Sequence, residues 1–109
     1  MTDHVTRIRA LNDELRQHLI GGLAVMTPGV MALGGSAVER IIATLAVYDD
    51  FHYANDPHQE HDFGEFDLDG ETIFFKIDYF DRALTSHSPN PADPFVTERV
   101  ITIMLASEY

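Results

Sequence analysis

The dipeptide Asp69-Gly70, set between two alternating runs, constrains this chain more than any other feature. An Asp-Gly pair supplies the positive φ that a two-residue hairpin turn needs, and alternation on both sides supplies the strands. The runs are Phe63–Leu68 and Thr72–Phe80. With Asp69 and Gly70 as the loop, Leu68 opposes Glu71, Phe66 opposes Ile73, Glu65 opposes Phe74 and Phe63 opposes Lys76. The same count sets His61 against Asp78. Period two then puts Phe66, Ile73, Phe75, Ile77 and Tyr79 on one apolar side, which must be core. The other side carries His61, Phe63, Glu65, Phe74, Lys76 and Asp78.

A lone hairpin is not stable in water, so the rest of the chain must cover its apolar side. Residues 4–19 supply one cover: Val5, Ile8, Leu11, Leu15 and Leu19 recur at steps of three and four, with Arg7, Asp13, Glu14 and Arg16 mostly opposite. Gly21-Gly22 stops that helix. Residues 22–27 are short and apolar and read as a buried strand, Pro28-Gly29 as a turn, and Val30–Leu33 as a second short strand. Ser36-Ala37-Val38-Glu39 matches a capping box, and Val38, Ile41, Ile42, Leu45, Tyr48 and Phe51 continue at helical spacing. Asp93-Pro94 sets an N-cap acceptor before a proline, which predicts a final helix over about residues 96–107. Strand is the alternative for both 38–51 and 96–107, because both are rich in β-branched residues. The expected fold is a single α+β domain over residues 1–109. A small antiparallel sheet, made of the 63–80 hairpin and the 22–27 strand, packs against two to three helices.

Charge is concentrated. The chain carries −11 at neutral pH and has no cysteine. Between Asp49 and Asp81 stand eleven acidic residues against one base, Lys76, so that window accounts for −10. Such a balance argues against direct binding to nucleic acid or anionic lipid. The lack of cysteine excludes disulfides and thiolate chemistry and suits a reducing compartment. No secretory leader or membrane span is read from the sequence, so the expected setting is the cytoplasm.

Within the acidic window, Asn55-Asp56-Pro57-His58-Gln59-Glu60-His61-Asp62 packs two His and three acids into seven residues, Asp56 to Asp62. Asn-Asp-Pro is turn chemistry, and an ordered loop explains half of the string. Its oxygen and imidazole groups also suit a divalent cation, with His58, Glu60 and His61 as the candidate ligands. The His58-x-x-His61 spacing is not the His-Glu-x-x-His zinc signature, so the default is no cofactor. An imidazole among carboxylates also suits acid–base work near neutrality. Nucleophile-elbow, phosphate-loop and dinucleotide motifs are absent from the sequence.

The strings Arg9-Ala10-Leu11-Asn12-Asp13, Asn55-Asp56-Pro57 with Glu60-His61-Asp62-Phe63-Gly64, Lys76-Ile77-Asp78-Tyr79-Phe80-Asp81, Pro91-Ala92-Asp93-Pro94 and Leu105-Ala106-Ser107-Glu108-Tyr109 together resemble an uncharacterised bacterial family. Its members are small proteins of unknown function often encoded near mobile elements. The resemblance spans about residues 7–109. It departs at Phe75 and Phe80, where the family favours Trp and Tyr. It implies one compact domain and a mobile-element setting, and it supplies no activity, catalytic residue or cofactor.

Two functions remain in contention. In the first, the chain is an acidic interaction protein, an inhibitor or nucleic-acid mimic of the antirestriction or anti-CRISPR kind. Its partner is a protein with a basic surface, met through Asp56, Glu60, Asp62, Glu65 and Asp67. In the second, it is a small metal-dependent or acid–base hydrolase, with His61 and Asp78 as a base pair and Lys76 stabilising an anion. The same three residues also read as plain charge pairs, worth about a few tenths of a kcal/mol at an exposed position. A homodimer through an exposed sheet edge would need no chemistry at all.

Overall fold

A computed structural model describes residues 3–109. Its elements run α1 (His4–His18), β1 (Leu23–Met26), α2 (Pro28–Met31), α3 (Gly35–Val47), β2 (Phe63–Leu68), β3 (Glu71–Phe80) and β4 (Glu98–Leu105), followed by a 3-10 turn over Ala106–Glu108. The four strands form one sheet in the order β1-β4-β3-β2. The hairpin β2–β3 has the register that the turn dictates, from Leu68 opposite Glu71 to Phe63 opposite Lys76. Asp69 and Gly70 both take positive φ, 52° and 84°, as a two-residue turn of the favoured hand requires.

The second half of the sheet corrects the expectation of a terminal helix. Residues 98–105 form β4, which lies antiparallel to β3 and parallel to β1. The sheet is therefore mixed. Asp93 does cap a turn, its Oδ1 accepting the Phe95 N–H at 2.9 Å, but the turn goes no further. The run Val100-Ile101-Thr102-Ile103 then enters the sheet, where β-branched side chains lose less freedom than in a helix. Flanked on both sides, Ile101 and Ile103 are fully buried.

Two further expectations change. Pro28-Gly29 opens a helix: Thr27 caps α2, Pro28 takes the first turn where its missing N–H costs nothing, and Val30 is buried as part of it. No strand forms over Val30–Leu33. The capping box at Ser36 is not made either. Gly34, at φ 97°, starts α3 without a side-chain cap, and Ser36 lies exposed in the first turn. The helix ends at Val47, because Tyr48 is extended (ψ 129°) and turns its ring inward against Phe51, Phe66 and Phe75.

The core lies between one face of the sheet and the helices. Ile73, Phe75, Ile77, Ile101 and Ile103 meet Leu15, Val30, Ile41 and Leu45. Each such side chain contributes about 1.5–3 kcal/mol by leaving water. On α1 the buried stripe is rotated from the expected one. Ile8, Asn12, Leu15 and Arg16 face inward, while Val5 and Leu19 are exposed. Among the described residues no α-helix covers the opposite face of the sheet, which bears Phe63, Phe74, Lys76 and Asp78.

Candidate functional site

Two regions combine chemistry with access: a hollow beside α1, and the open sheet face. Residues 48–62 build the hollow. Asn55 folds the start of this segment, its Oδ1 accepting the His52 N–H at 2.9 Å and its Nδ2 donating to the Asp50 carbonyl at 2.9 Å. Asp56 folds the rest: its Oδ1 accepts the backbone N–H groups of Glu60 (3.0 Å) and His61 (3.1 Å). This is the side-chain-to-backbone bonding that makes Asp a turn residue. To close the turn, Gln59 and His61 adopt φ of 60° and 57°. Positive φ is uncommon outside glycine and persists only where surrounding contacts hold it.

The turn at His61 overrides the hairpin alternation and swings the imidazole to the helix side of the sheet. His61 Nδ1 lies 2.7 Å from Asp13 Oδ1, and the ring stacks on Phe51 at 3.9 Å between centroids and 5° between planes. Arg16 donates to the same Asp13 oxygen at 2.7 Å and sits over Phe51 as well. The other ring nitrogen, Nε2, stands 3.8 Å from Asp56 Oδ2. Arg9, Phe51, His52, Tyr53, Asp56, Gln59 and His61 line a hollow of about 330 Å³ beside it.

Behind the hollow lies a buried polar network that the sequence did not announce. Asn12, fully buried, accepts from Arg99 Nε at 2.6 Å and donates to the Glu60 carbonyl at 2.9 Å and the Tyr79 hydroxyl at 2.7 Å. Tyr79 in turn donates to Glu60 Oε1 at 2.8 Å. Arg99 is 1% exposed, stacks over the Tyr79 ring and donates through Nη2 to the Pro91 carbonyl. Burial pushes the Tyr79 hydroxyl well above its ordinary range and lowers the pKa of Arg99. The residue pattern held one signal. Asn12 and Arg16 share the spacing of Ile8 and Leu15, so polar groups lie within the buried stripe.

The proposed grouping of His61, Lys76 and Asp78 does not form. Lys76 Nζ pairs with Asp78 Oδ2 at 2.9 Å on the open sheet face, whereas His61 lies on the helix side with Asp13 and Asp56. The five carboxylates assigned to a partner also separate. Asp56 is buried in its turn, Glu60 is bonded to Tyr79, and Asp62 is half-buried. Burial, then the neighbouring charge of Glu60, raises the pKa of Asp62. Glu65 and Asp67 are exposed, with Asp67 accepting the Thr72 hydroxyl at 2.8 Å. Of the candidate metal ligands, Glu60 and His61 are held by Tyr79 and Asp13, and His58 is exposed. Among the described residues no group of three or more His, Asp and Glu side chains is placed to hold a metal ion.

The open face has a centre. Phe63, Phe74 and Tyr109 form an edge-on triangle, with ring centroids 5.4, 5.5 and 6.0 Å apart. Tyr109 is 75% exposed, and Leu23 and Val25 of β1 are nearly half exposed on the same side. Glu65 and Asp67 follow Phe63 along this face of β2. The Lys76–Asp78 pair is about as exposed as β1, at 40% and 39%, so it adds little stability.

Fold and site together define a small α+β protein with a mixed four-stranded sheet, helices on one face and an acidic, partly aromatic other face. The chain belongs to the family described as Protein of unknown function (DUF3768), which matches residues 26–108. Comparison with curated proteins and with solved structures gives no match. No helix among the described residues is long and apolar enough to cross a membrane.

Proposed function

We propose that this chain is an acidic interaction protein that docks a basic protein partner on the open face of its sheet. The observation that carries this reading is the placement of Glu65 and Asp67, both exposed, beside the Phe63–Phe74–Tyr109 triangle. Aromatic rings supply contact area at low entropic cost, and flanking carboxylates choose a cationic partner and steer its approach. Asp69 and Glu71, at the end of the same hairpin, belong to the helix side instead: Asp69 pairs with Arg40 at 2.6 Å, and Glu71 lines the same hollow as Arg40. Two exposed carboxylates two residues apart on one strand suit a groove that otherwise holds phosphates. The partner class is therefore a nucleic-acid-binding protein, and the action is inhibition by occupancy of that groove. The bacterial, mobile-element setting implied by the sequence resemblance, and a cytoplasmic location, accord with an antirestriction or anti-CRISPR role.

Affinity capture from host lysate tests the proposal, using wild type, the Glu65→Gln/Asp67→Asn double variant and an Asp49→Asn/Asp50→Asn control. The partner should be lost with the first variant, kept by the control, and released as salt is raised. Capture that the first variant leaves intact would refute the assignment.

A further inference from the structure

The buried carboxylate of Asp56 has one oxygen fully used and one not. Oδ1 accepts two backbone N–H groups, while Oδ2 accepts no hydrogen bond from the described residues, and Asp56 is among the residues that line the hollow. The side chain is only 4% exposed. Oδ2 is not among the fully buried polar atoms left without a partner, so it keeps an edge open to water through which a donor can reach it. Beside it, His61 offers a second acceptor. Asp13 can only accept, so the ring proton belongs on Nδ1, and in the neutral imidazole Nε2 is left with a free lone pair.

Two acceptors 3.8 Å apart at the base of a hollow form a receptor for a group with several N–H donors and positive charge. The walls agree. Tyr53, 85% exposed, presents an aromatic face, which attracts cations, while the Phe51 ring is already stacked on His61 with Arg16 over it. The volume of about 330 Å³ is at the small end for ligand sites, so it suits a head group and its first methylenes. Arg9 is the opposing charge on the rim. Its Nη1 is committed to the Gln59 carbonyl at 3.0 Å and its Nη2 reaches Thr6 Oγ1. It therefore closes one side and weakens cation binding through space.

We propose that this hollow binds a primary ammonium or guanidinium group, with Asp56 Oδ2 and His61 Nε2 as its acceptors. The group arrives either on a small free amine or on the Lys or Arg side chain of a protein. The site is independent of the docking face, because it lies on the helix side of the sheet.

The test is an NMR titration of the full chain with n-butylammonium chloride, ethylguanidinium chloride and a blocked Ala-Lys-Ala peptide. Tetramethylammonium chloride and sodium acetate serve as controls. Saturable shifts are expected at the Glu60 and His61 amides and the His61 ring for the first three probes. Tetramethylammonium, which has no N–H, should not reproduce them. Asp56→Asn keeps the Oδ1 acceptor but replaces Oδ2 with a donor, and should weaken binding about tenfold or more. Should that variant lose its dispersed spectrum, Arg9→Gln serves instead and should tighten binding. A peptide that binds more tightly than butylammonium identifies a protein side chain as the occupant; equal binding identifies a small amine. The proposal is overturned by shifts that do not saturate, by an unchanged response in folded Asp56→Asn, or by saturation with acetate in place of the amines.

Discussion

Replacing Asn12 with Ala should be among the most damaging single changes on α1, although the residue is polar and lies on a helix. The side chain is fully buried and serves three partners: Arg99 Nε, the Glu60 carbonyl and the Tyr79 hydroxyl. Arg99 already has Nη1 without a partner. Losing Asn12 would leave Nε unpaired too, on a guanidinium that is 1% exposed. Each unmet buried polar group costs about 1–3 kcal/mol, and stripping partners from a buried charge costs about 3–5 kcal/mol. A total of about 3–5 kcal/mol is a large share of the roughly 5–15 kcal/mol that holds a domain folded. For a chain of this size it lowers Tm by roughly 10–20 °C. Urea denaturation followed by circular dichroism measures it directly, with exposed Gln17→Ala as the control, expected within about 0.5 kcal/mol of wild type. If Asn12→Ala lay within about 1 kcal/mol of wild type, the network would not carry the load assigned to it.

Other outcomes follow from the same contacts. Gly64→Ala should cost about 1–3 kcal/mol by overpacking, since a Cβ there would lie 2.5 Å from the Phe75 ring and 2.6 Å from the Tyr48 ring; thermal melting reads it. Asp62→Asn should stabilise the protein at neutral pH. Burial raises the folded pKa of Asp62, so wild-type folding is favoured on the acid side and this contribution weakens as pH rises through that raised value. Comparing melts of the two proteins at mildly acidic and neutral pH tests the sign. Glu108 behaves oppositely. Its carboxylate accepts from the Thr27 hydroxyl and the Leu105 and Gly29 N–H groups, which lowers its pKa. Its contribution is complete above the ordinary Glu value and is lost as pH falls through the lowered one. Glu108→Gln should therefore melt lower than wild type at neutral pH, and the gap should close in acid.

The hairpin was legible because its determinants are local: one Asp-Gly turn and two alternating runs fix turn, register and buried side. Strand β4 was not, because the local Asp-Pro cap and a spacing compatible with a helix competed with its β-branched run. Pairing with β1 and β3, distant in sequence, settled the competition. Position 61 was misplaced for a related reason. Extending the hairpin register past Phe63 assumed extended backbone, while Gln59 and His61 take positive φ with no glycine to mark the turn. The Asn12–Arg99 network could have been sought from polar residues inside an apolar stripe. Its partners, 87 residues apart, could not have been named from spacing alone.

Carboxyl footprinting tests the docking face most directly. The free chain and the chain bound to its captured partner are labelled with a carbodiimide and amine, and modification is read residue by residue. Docking on the open sheet face predicts protection of Glu65 and Asp67 on binding, with Asp49, Asp50 and Glu14 labelled as before. Protection of Asp49 and Asp50 with Glu65 and Asp67 still reactive would contradict it.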